Sequence, residues 1–351
     1  MRATMMMRVL AVGLAMAAPA TAAPLVREAA GAGPAAIQAA VDQFRADMGG
    51  VNNGNTPGSQ LGGRREINWD GGGPTAPVTL DPSPMTRFSN RGAVFTTPGT
   101  GFEISGVPLP EFGEINAGYP GLFVPFSSPR LFTALDSNVL DVWFFVPGST
   151  TVAAGVTGFG AVFTHVTSAT STRLEFYAPD GALLFARPVP WAAGNETLSF
   201  LGVSFDAGEI VGRVRIVSGN TSPGPDESVT RDVVVMDDFV YAEPVSVQGL
   251  TLTPQTGQVF RTGAFDLVIG VQGLAAGINS GYVRLDGGDV TSSFLACMVP
   301  GSQAGGYTFR CPVPRGLLTP GDHVLQVELN LSDQTRLRQA VRWTVVGNTE
   351  P

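Results

Sequence analysis

The sequence VVVMDDFVY, residues 233–241, reads as a buried β-strand interrupted by two adjacent carboxylates, Asp237 and Asp238. A charge that leaves water without a partner is strongly destabilising, so each carboxylate needs a neutralising neighbour. Adjacent strand residues point to opposite faces of a sheet, so both carboxylates enter one site only if the strand bulges or ends there. Otherwise one binds a ligand and the other caps a turn or meets an arginine. Regular alternation favours Asp237 as the ligand, because its face also carries Val233, Val235 and Phe239.

A hard cation is one neighbour that fits this pair. Ca²⁺ is bound by roughly six to eight oxygen atoms from carboxylates, carbonyls and water. The first and last strands of a jelly roll are often neighbours, so Glu66 and Asp70 join Asp237 and Asp238 as candidate metal ligands. The sequence therefore predicts a structural Ca²⁺ site. The alternative neighbour is an arginine, with Arg65, Arg213 and Arg215 as the candidates.

The rest of the chain predicts an all-β protein. It has 351 residues with 45 Gly and 27 Pro, which suits many short strands joined by tight turns. No alternation of strands with helices is visible, which excludes a doubly wound α/β fold. The pattern over residues 65–243 predicts a jelly-roll antiparallel β-sandwich. The predicted strands are residues 92–96, 140–146, 158–164, 173–178, 183–188, 198–205, 210–218 and 233–241.

The N-terminal region contains two other signals. Residues 1–22 are typical of a secretory signal peptide, with Arg2 and Arg8 before a short apolar run and small residues that predict cleavage after Ala22. The mature chain is therefore predicted to be secreted or periplasmic, and no later apolar segment is long enough for membrane insertion. Within residues 23–64, apolar spacing predicts one short helix over 34–48, followed by a Gly/Asn-rich loop.

A second β-domain is predicted after a linker at residues 244–247. Residues 248–347 suit an Ig-like β-sandwich, followed by a tail at 348–351. Its predicted strands are residues 250–253, 264–271, 281–285, 307–313, 323–329 and 340–346. Leu325, Val327 and Leu329 alternate with Val324, Gln326 and Glu328 and are expected to face the core. The two cysteines, Cys297 and Cys311, are predicted to form a disulfide between neighbouring strands.

Several motifs carry a resemblance to known proteins. Residues 65–71 (REINWDG), 156–164 (VTGFGAVFT), 198–205 (LSFLGVSF) and 233–241 together resemble a group of uncharacterised exported bacterial proteins, over residues 35–243. The layout also resembles jelly-roll carbohydrate-binding modules, whose last strand commonly ends in a hydrophobic-Asp-Asp-hydrophobic signature bound to structural Ca²⁺; Asp237 and Asp238 match it. His165 departs from the acidic residue expected in the exported group. Residues 283–292 resemble bacterial Ig-like modules.

Catalytic motifs are absent from the sequence. The two histidines, His165 and His323, fall in different predicted domains, and neither Gly-x-Ser-x-Gly nor His-Glu-x-x-His occurs. A glycosidase needs only two suitably spaced carboxylates, and a pair such as Glu175 with Asp206 has no signature. The sequence therefore predicts a protein that is not an enzyme.

Aromatic rings that stack on sugars are the remaining candidate binding residues. Trp191 lies in a Pro/Gly-rich loop and is the first candidate, with Tyr177 and Trp69 as further rings. Trp143 lies in a continuous apolar run, which predicts that it belongs to the core.

The sequence thus predicts an exported, non-catalytic binding or adhesion protein whose partner is a glycan or another cell-surface molecule. A purely structural envelope or matrix component is the alternative, and a glycan-active enzyme is the third reading. A net charge of −8 argues against a nucleic-acid partner.

Overall fold

The structure is a computed structural model that describes residues 23–206, 208–225, 231–261, 264–271, 278–299, 307–332 and 335–347. The predicted signal peptide and the predicted tail at 348–351 lie outside these residues. Across the described residues, no helix is both long and apolar enough to cross a bilayer.

The first part of the chain is the predicted jelly-roll sandwich. The strands are β1 (Leu25–Ala32), β2 (Arg64–Ile67), β3 (Thr79–Pro82), β4 (Ala93–Thr96), β5 (Gly101–Ile104), β6 (Phe132–Leu135), β7 (Val139–Phe144), β8 (Ala154–Gly155), β9 (Gly158–Thr164), β10 (Arg173–Tyr177), β11 (Leu183–Pro188), β12 (Thr197–Ser204), β13 (Arg213–Val217) and β14 (Val235–Ala242). The eight-stranded sheet has the order β1-β12-β9-β14-β6-β5-β3, with β2 also paired to β14, and the five-stranded sheet has the order β11-β10-β13-β7-β4. The chain alternates between the sheets so that β6-β14-β9-β12 faces β7-β13-β10-β11, which is jelly-roll connectivity.

An aromatic cluster fills the space between the two sheets. Trp69 stacks on Phe132 with a centroid distance of 3.8 Å, and Phe239 meets both rings edge-on. Phe95 and Phe102 extend the cluster toward the sheet edge. These rings bury large apolar areas, so they supply much of the stabilisation of the sandwich.

The predicted N-terminal helix covers the outer face of the eight-stranded sheet. A 3₁₀ turn (Pro34–Ala36) precedes α1 (Gln38–Asp47), which buries Val41 and Phe44. Phe44 lies over Gly160 and Gly202, which are directly paired across β9 and β12. The absence of side chains there lets the helix approach the sheet closely.

Strand β1, which the sequence pattern did not predict, pairs along its whole length with β12. Its sequence LVREAAGA is rich in alanine, a residue with low β-propensity. The strand forms because β12 offers an unpaired edge.

The Ig-like half also matches its prediction. Its elements are β15 (Val245–Ser246), β16 (Leu250–Thr253), β17 (Val259–Arg261), β18 (Phe265–Val271), β19 (Ile278–Leu285), β20 (Gly288–Asp289), α2 (Thr291–Ala296), β21 (Met298–Val299), β22 (Tyr307–Val313), β23 (Gly321–Leu331) and β24 (Arg336–Val346). One sheet has the order β16-β18-β22-β21, and the other contains β20-β19-β23-β24 with β17 parallel to β24. This is the strand arrangement of an Ig-like sandwich. The predicted disulfide between Cys297 and Cys311 is present, but it joins the C-cap residue of α2 to β22 rather than two neighbouring strands as expected.

The two halves pack tightly against each other. Leu325, Val327 and Leu329 face the Ig-like core as predicted, but Val324 and Glu328 on the opposite face are also buried. Contacts with the first half of the chain account for this. Glu209 of the jelly roll pairs with Arg342, and the carbonyl of Gln60, in the loop before β2, accepts a hydrogen bond of 2.6 Å from Arg336, the partner of Glu328. Residues 245–246, within the predicted linker, form β15 and pair with both β8 and β24.

Substitution of Gly202 tests the packing of α1. A Cβ at this position would lie 2.6 Å from Cδ2 of Phe44. We expect Gly202→Ala to lower the free energy of unfolding by about 1–3 kcal/mol, because the helix must shift outward. Gly62→Ala is the matched control, since a Cβ there meets no atom within 4 Å. Equal denaturation midpoints for both variants would contradict this packing.

Candidate functional site

The two carboxylates of β14 lie in a β-bulge. Met236 pairs with Phe163 and Phe239 pairs with Ala161, so Asp237 and Asp238 together oppose a single residue of β9. Because of this extra residue, Phe239 faces the core on the same side as Met236. The expectation that Phe239 shares the face of Asp237 is therefore wrong, since it assumed regular alternation.

Asp237 is fully buried and caps a turn in the loop before β6. Its Oδ2 accepts hydrogen bonds from the backbone N–H groups of Phe126 (2.6 Å) and Ser127 (3.0 Å). Its backbone carbonyl accepts the indole N–H of Trp69 at 3.0 Å. Burial raises the pKa of Asp237 well above its ordinary value, the charge of Asp238 raises it further, and the two backbone N–H groups oppose the shift.

Asp238 meets both a hydroxyl and an arginine. Ser127 Oγ donates to its Oδ1 at 2.5 Å, and Arg45 Nη2 of α1 donates to its Oδ2 at 3.1 Å. Burial raises the pKa of Asp238, and the Ser127 hydroxyl and Arg45 lower it in part. Arg45 was not among the arginines expected from the sequence. Those three have other carboxylate partners: Arg65 pairs with Glu243, and Arg213 and Arg215 pair with Asp141.

The other two predicted metal ligands lie nearby with partners of their own. Glu66 accepts from Arg45 at 3.0 Å and from Arg64 at 2.5 Å. Asp70 accepts the backbone N–H of Arg130 at 3.1 Å. In the part of the chain that the structure describes, no three His, Cys, Asp or Glu side chains are grouped to hold a metal ion. The four predicted ligands therefore do not form one site: Asp237 and Asp238 converge on Ser127, Asp70 lies close enough for its charge to raise the pKa of Asp237, and Glu66 is held by two arginines.

The oxygen atoms around Ser127 are the part of this cluster that suits a cation. The Ser127 hydroxyl lies 2.5 Å from Asp238 Oδ1, 3.4 Å from Asp237 Oδ1 and 3.4 Å from the carbonyl of Asn68. A hydroxyl has one proton, so it cannot satisfy three acceptors at once. Two carboxylates, a carbonyl and a hydroxyl are the donor types that Ca²⁺ takes, so this set fits the ion in kind.

A further buried carboxylate, Glu103 on β5, gave no signal in the sequence. Phe102 and Ile104 face the core, so Glu103 points to the outer side of the eight-stranded sheet. Burial and the neighbouring Glu114 raise its pKa to about 8. Its Oε1 has no hydrogen-bond partner among the described residues. The folded protein therefore favours the neutral carboxyl.

The titration of Glu103 gives a pH-dependent stability. The folded form keeps the proton up to about pH 8, whereas the unfolded chain releases it near the ordinary value of 4.5. The contribution of Glu103 to the free energy of unfolding is thus complete below about pH 4.5 and is lost as the pH rises toward 8. The loss is at most about 1.4 kcal/mol per pH unit. We expect Glu103→Gln to flatten this part of the stability profile, measured by chemical denaturation. The pKa values of Asp237 and Asp238 are raised in the wild-type protein and in the variant alike, so the difference between the two stability profiles isolates Glu103. Identical profiles would contradict the raised pKa of Glu103.

The rings named from the sequence lie in three different places. Trp69 is 2% exposed at the centre of the core, so it offers no ring face to a ligand and the expectation that it does is wrong. Trp191 is 52% exposed in the loop between β11 and β12. Tyr177 lies on β10 of the five-stranded sheet. The structure does not bring these three rings together.

The outer face of the five-stranded sheet carries a row of three side chains that the sequence did not predict. Trp143 on β7 is paired with Arg213 on β13, which is paired with Tyr177 on β10, and paired residues share one face. We call these three residues the aromatic–arginine row. Trp143 is 40% exposed, so its assignment to the core is wrong. Alternation along β7 explains this, because the residues that face the core are Leu140, Val142 and Phe144.

Hydrogen bonds and cation–π contacts hold the aromatic–arginine row in place. The Arg213 guanidinium carbon lies 3.8 Å from the ring centroid of Tyr177 and 5.3 Å from that of Trp143. Trp143 Nε1 donates to Thr96 Oγ1 at 3.0 Å, and the Tyr177 hydroxyl donates to Glu175 at 2.6 Å. The hydrogen bond to Glu175 raises the pKa of Tyr177, so its hydroxyl keeps its proton.

The neighbouring row of the same face is charged. Asp141, Arg215 and Glu175 are paired across β7, β13 and β10. Asp141 accepts from Arg215 Nη2 at 2.9 Å and from Arg213 Nη1 at 2.7 Å. Glu175 accepts from Arg173 Nε at 2.7 Å. The face therefore places aromatic surface beside fixed polar groups.

The histidines have structural partners. His323 is buried in the Ig-like half, with Nδ1 2.7 Å from Asp286 and Nε2 2.8 Å from the carbonyl of Thr319. His165 follows β9, with Nδ1 3.2 Å from the carbonyl of Val233. They lie in different halves, so the structure does not combine them into one site.

Comparisons with known proteins assign no family. No family model matches the sequence, and no curated protein matches it. Among solved structures, an endo-β-1,4-mannanase from Thermotoga petrophila is 13% identical with a TM-score of 0.22, covering 28% of this chain and 20% of the mannanase. The fibronectin(III)-like modules of Clostridium thermocellum CbhA are 14% identical with a TM-score of 0.20, covering 28% of this chain and 94% of theirs. SGBP-B of the Bacteroides ovatus mixed-linkage glucan utilization locus is 11% identical with a TM-score of 0.15, covering 77% of this chain and 64% of its own.

The chain thus spans about a fifth of the length of the mannanase that it matches. All three scores are low, and no function is inferred from them. The resemblance to exported bacterial proteins stays a prediction.

Proposed function

We propose that this chain is a non-catalytic binding or adhesion protein that takes a glycan on the outer face of the five-stranded sheet. The observation that carries the proposal is Trp143, an exposed tryptophan of strand β7, held in a row with Arg213 and Tyr177. Tryptophan is costly to expose to water, so a ring kept at the surface by its neighbours suits a ligand contact.

The chemistry of the face suits sugar. The exposed part of Trp143 offers apolar area for a pyranose ring, and the guanidinium of Arg213 and the hydroxyl of Thr96 are polar groups that can orient sugar hydroxyls. These groups sit on paired strands rather than on loops, so they need little reorganisation on binding. The resemblance to jelly-roll carbohydrate-binding modules points to the same ligand class.

Two tryptophan variants test the location of the site. We expect Trp143→Ala to weaken glycan binding about tenfold or more, because truncation of an exposed aromatic anchor commonly costs over 1.4 kcal/mol. Trp191→Ala is the matched control, since that ring is also exposed but lies in a separate loop. Binding is measured on a glycan array and then by calorimetry.

Loss of glycan binding with Trp191→Ala alone would instead place the site in the loop between β11 and β12, as the sequence predicts. A protein that binds no glycan and self-assembles would instead support the alternative of a structural envelope or matrix component. Turnover of a bound glycan would support the third reading, an enzyme.

We also propose that the bulge holds a structural Ca²⁺. Asp237, Asp238, the Asn68 carbonyl and the Ser127 hydroxyl supply the oxygen atoms. Such an ion would balance the carboxylate charge that Arg45 does not neutralise, and it would tie the loop before β6 to β14.

Removal of the ion is the direct test. We expect EDTA to lower the melting temperature by about 5 °C and Ca²⁺ to restore it, because a ligand that binds only the folded state stabilises it. Asp237→Asn should lose this response. Asp232→Asn is the control, since Asp232 is also buried but accepts its hydrogen bonds from Thr167 and Ser171. An unchanged melting temperature in EDTA would contradict the ion.

A further inference from the structure

The proposed binding face differs in charge from the chain as a whole. The chain has a net charge of −8. The outer face of the five-stranded sheet instead carries three arginines, Arg173, Arg213 and Arg215, against two carboxylates, Asp141 and Glu175. The exposed fractions of the Arg173 and Arg215 side chains are 44% and 39%, so both are open to a ligand.

The ion pairs leave guanidinium groups in excess. Asp141 serves two arginines, accepting Arg213 at 2.7 Å and Arg215 at 2.9 and 3.0 Å. Glu175 accepts both Arg173 at 2.7 Å and the Tyr177 hydroxyl at 2.6 Å. A guanidinium has five N–H donors, so these carboxylates use only part of the donor capacity. The face therefore suits a ligand with acceptor groups and negative charge.

We propose that the ligand of this face is an acidic glycan whose uronate carboxylates bind Arg215 and Arg173 while a sugar ring contacts Trp143. This inference rests on the proposed glycan-binding function of the same face. A carboxylate is favoured because its planar pair of oxygen atoms matches the arginine fork.

The rigid rows favour a polysaccharide over an acidic peptide. Trp143 and Tyr177 lie two strands apart, roughly 10 Å. The charged row of Asp141, Arg215 and Glu175 runs parallel to the aromatic–arginine row, two residues away along each strand. A fixed pattern of this kind suits a stiff ligand with a short repeat. A flexible peptide would lose more conformational entropy on the same surface.

The test compares polygalacturonate and alginate with the same polymers after reduction of their carboxyl groups. We expect the wild-type protein to bind at least one acidic polymer about tenfold more tightly than its reduced form, and to lose this preference as salt rises. The double variant Arg173→Gln/Arg215→Gln should bind both forms equally and weakly. Arg310→Gln, an exposed arginine of the Ig-like half paired with Asp266, is the control and should keep the preference.

The outcomes separate this inference from the function on which it rests. Tight binding of neutral glycans, equal for both forms of each polymer and lost with Trp143→Ala, would overturn the acidic ligand and leave the glycan-binding function standing. Failure to bind any glycan would overturn both. Binding of poly-glutamate as tightly as of the acidic polymers would show that the face recognises charge alone, which overturns the glycan as the ligand.

Discussion

The jelly roll depends on two buried carboxylates in the middle of its central strand. Asp237 holds the backbone N–H groups of Phe126 and Ser127, and Asp238 holds Arg45 of α1. An unpartnered buried carboxylate would destabilise the fold strongly, so the loop before β6 and the helix must both lie on this side of β14. One β-bulge thereby positions two segments that are far from β14 in sequence.

The two sheets of the jelly roll differ in how far their outer faces are covered. The eight-stranded sheet is covered on its outer side, by Phe44 of α1 over β9 and β12 and by an apolar cluster over β14. The five-stranded sheet keeps an outer face whose side chains reach solvent, with Trp143 as its largest exposed ring. The outer face of the five-stranded sheet is therefore the sheet face of the jelly roll that is open to a ligand. The apolar cluster is Phe112, Tyr119, Phe123, Leu131, Val233 and Val235.

Sequence patterns predicted the elements better than the directions of their side chains. Strands such as β9, β11 and β22 begin and end where the turn residues indicated, and the disulfide joins the expected cysteines. Trp143 was misplaced because hydrophobicity alone does not tell which face of a strand a ring occupies. Trp69 follows β2 and is buried against Phe132 and Phe239, which are distant from it in sequence. The bulge and the Arg45 partner could not be predicted, since both depend on pairings between residues distant in sequence. If alternation along β7 is used instead of apolar content, Trp143 is predicted on the outer face.

The Ig-like half limits the proposed binding face at one end. Ala178, the residue after β10, lines a small cavity together with Val324 and Arg342. Arg342 is paired with the buried Glu209, so this contact is fixed by charge as well as by apolar packing. Because β10 runs from Arg173 toward Ala178, the aromatic–arginine row lies next to the Ig-like half and Arg173 lies at the opposite end. A long ligand that contacts Trp143 can therefore extend along the sheet only past the charged row, which makes the arginines part of any extended contact.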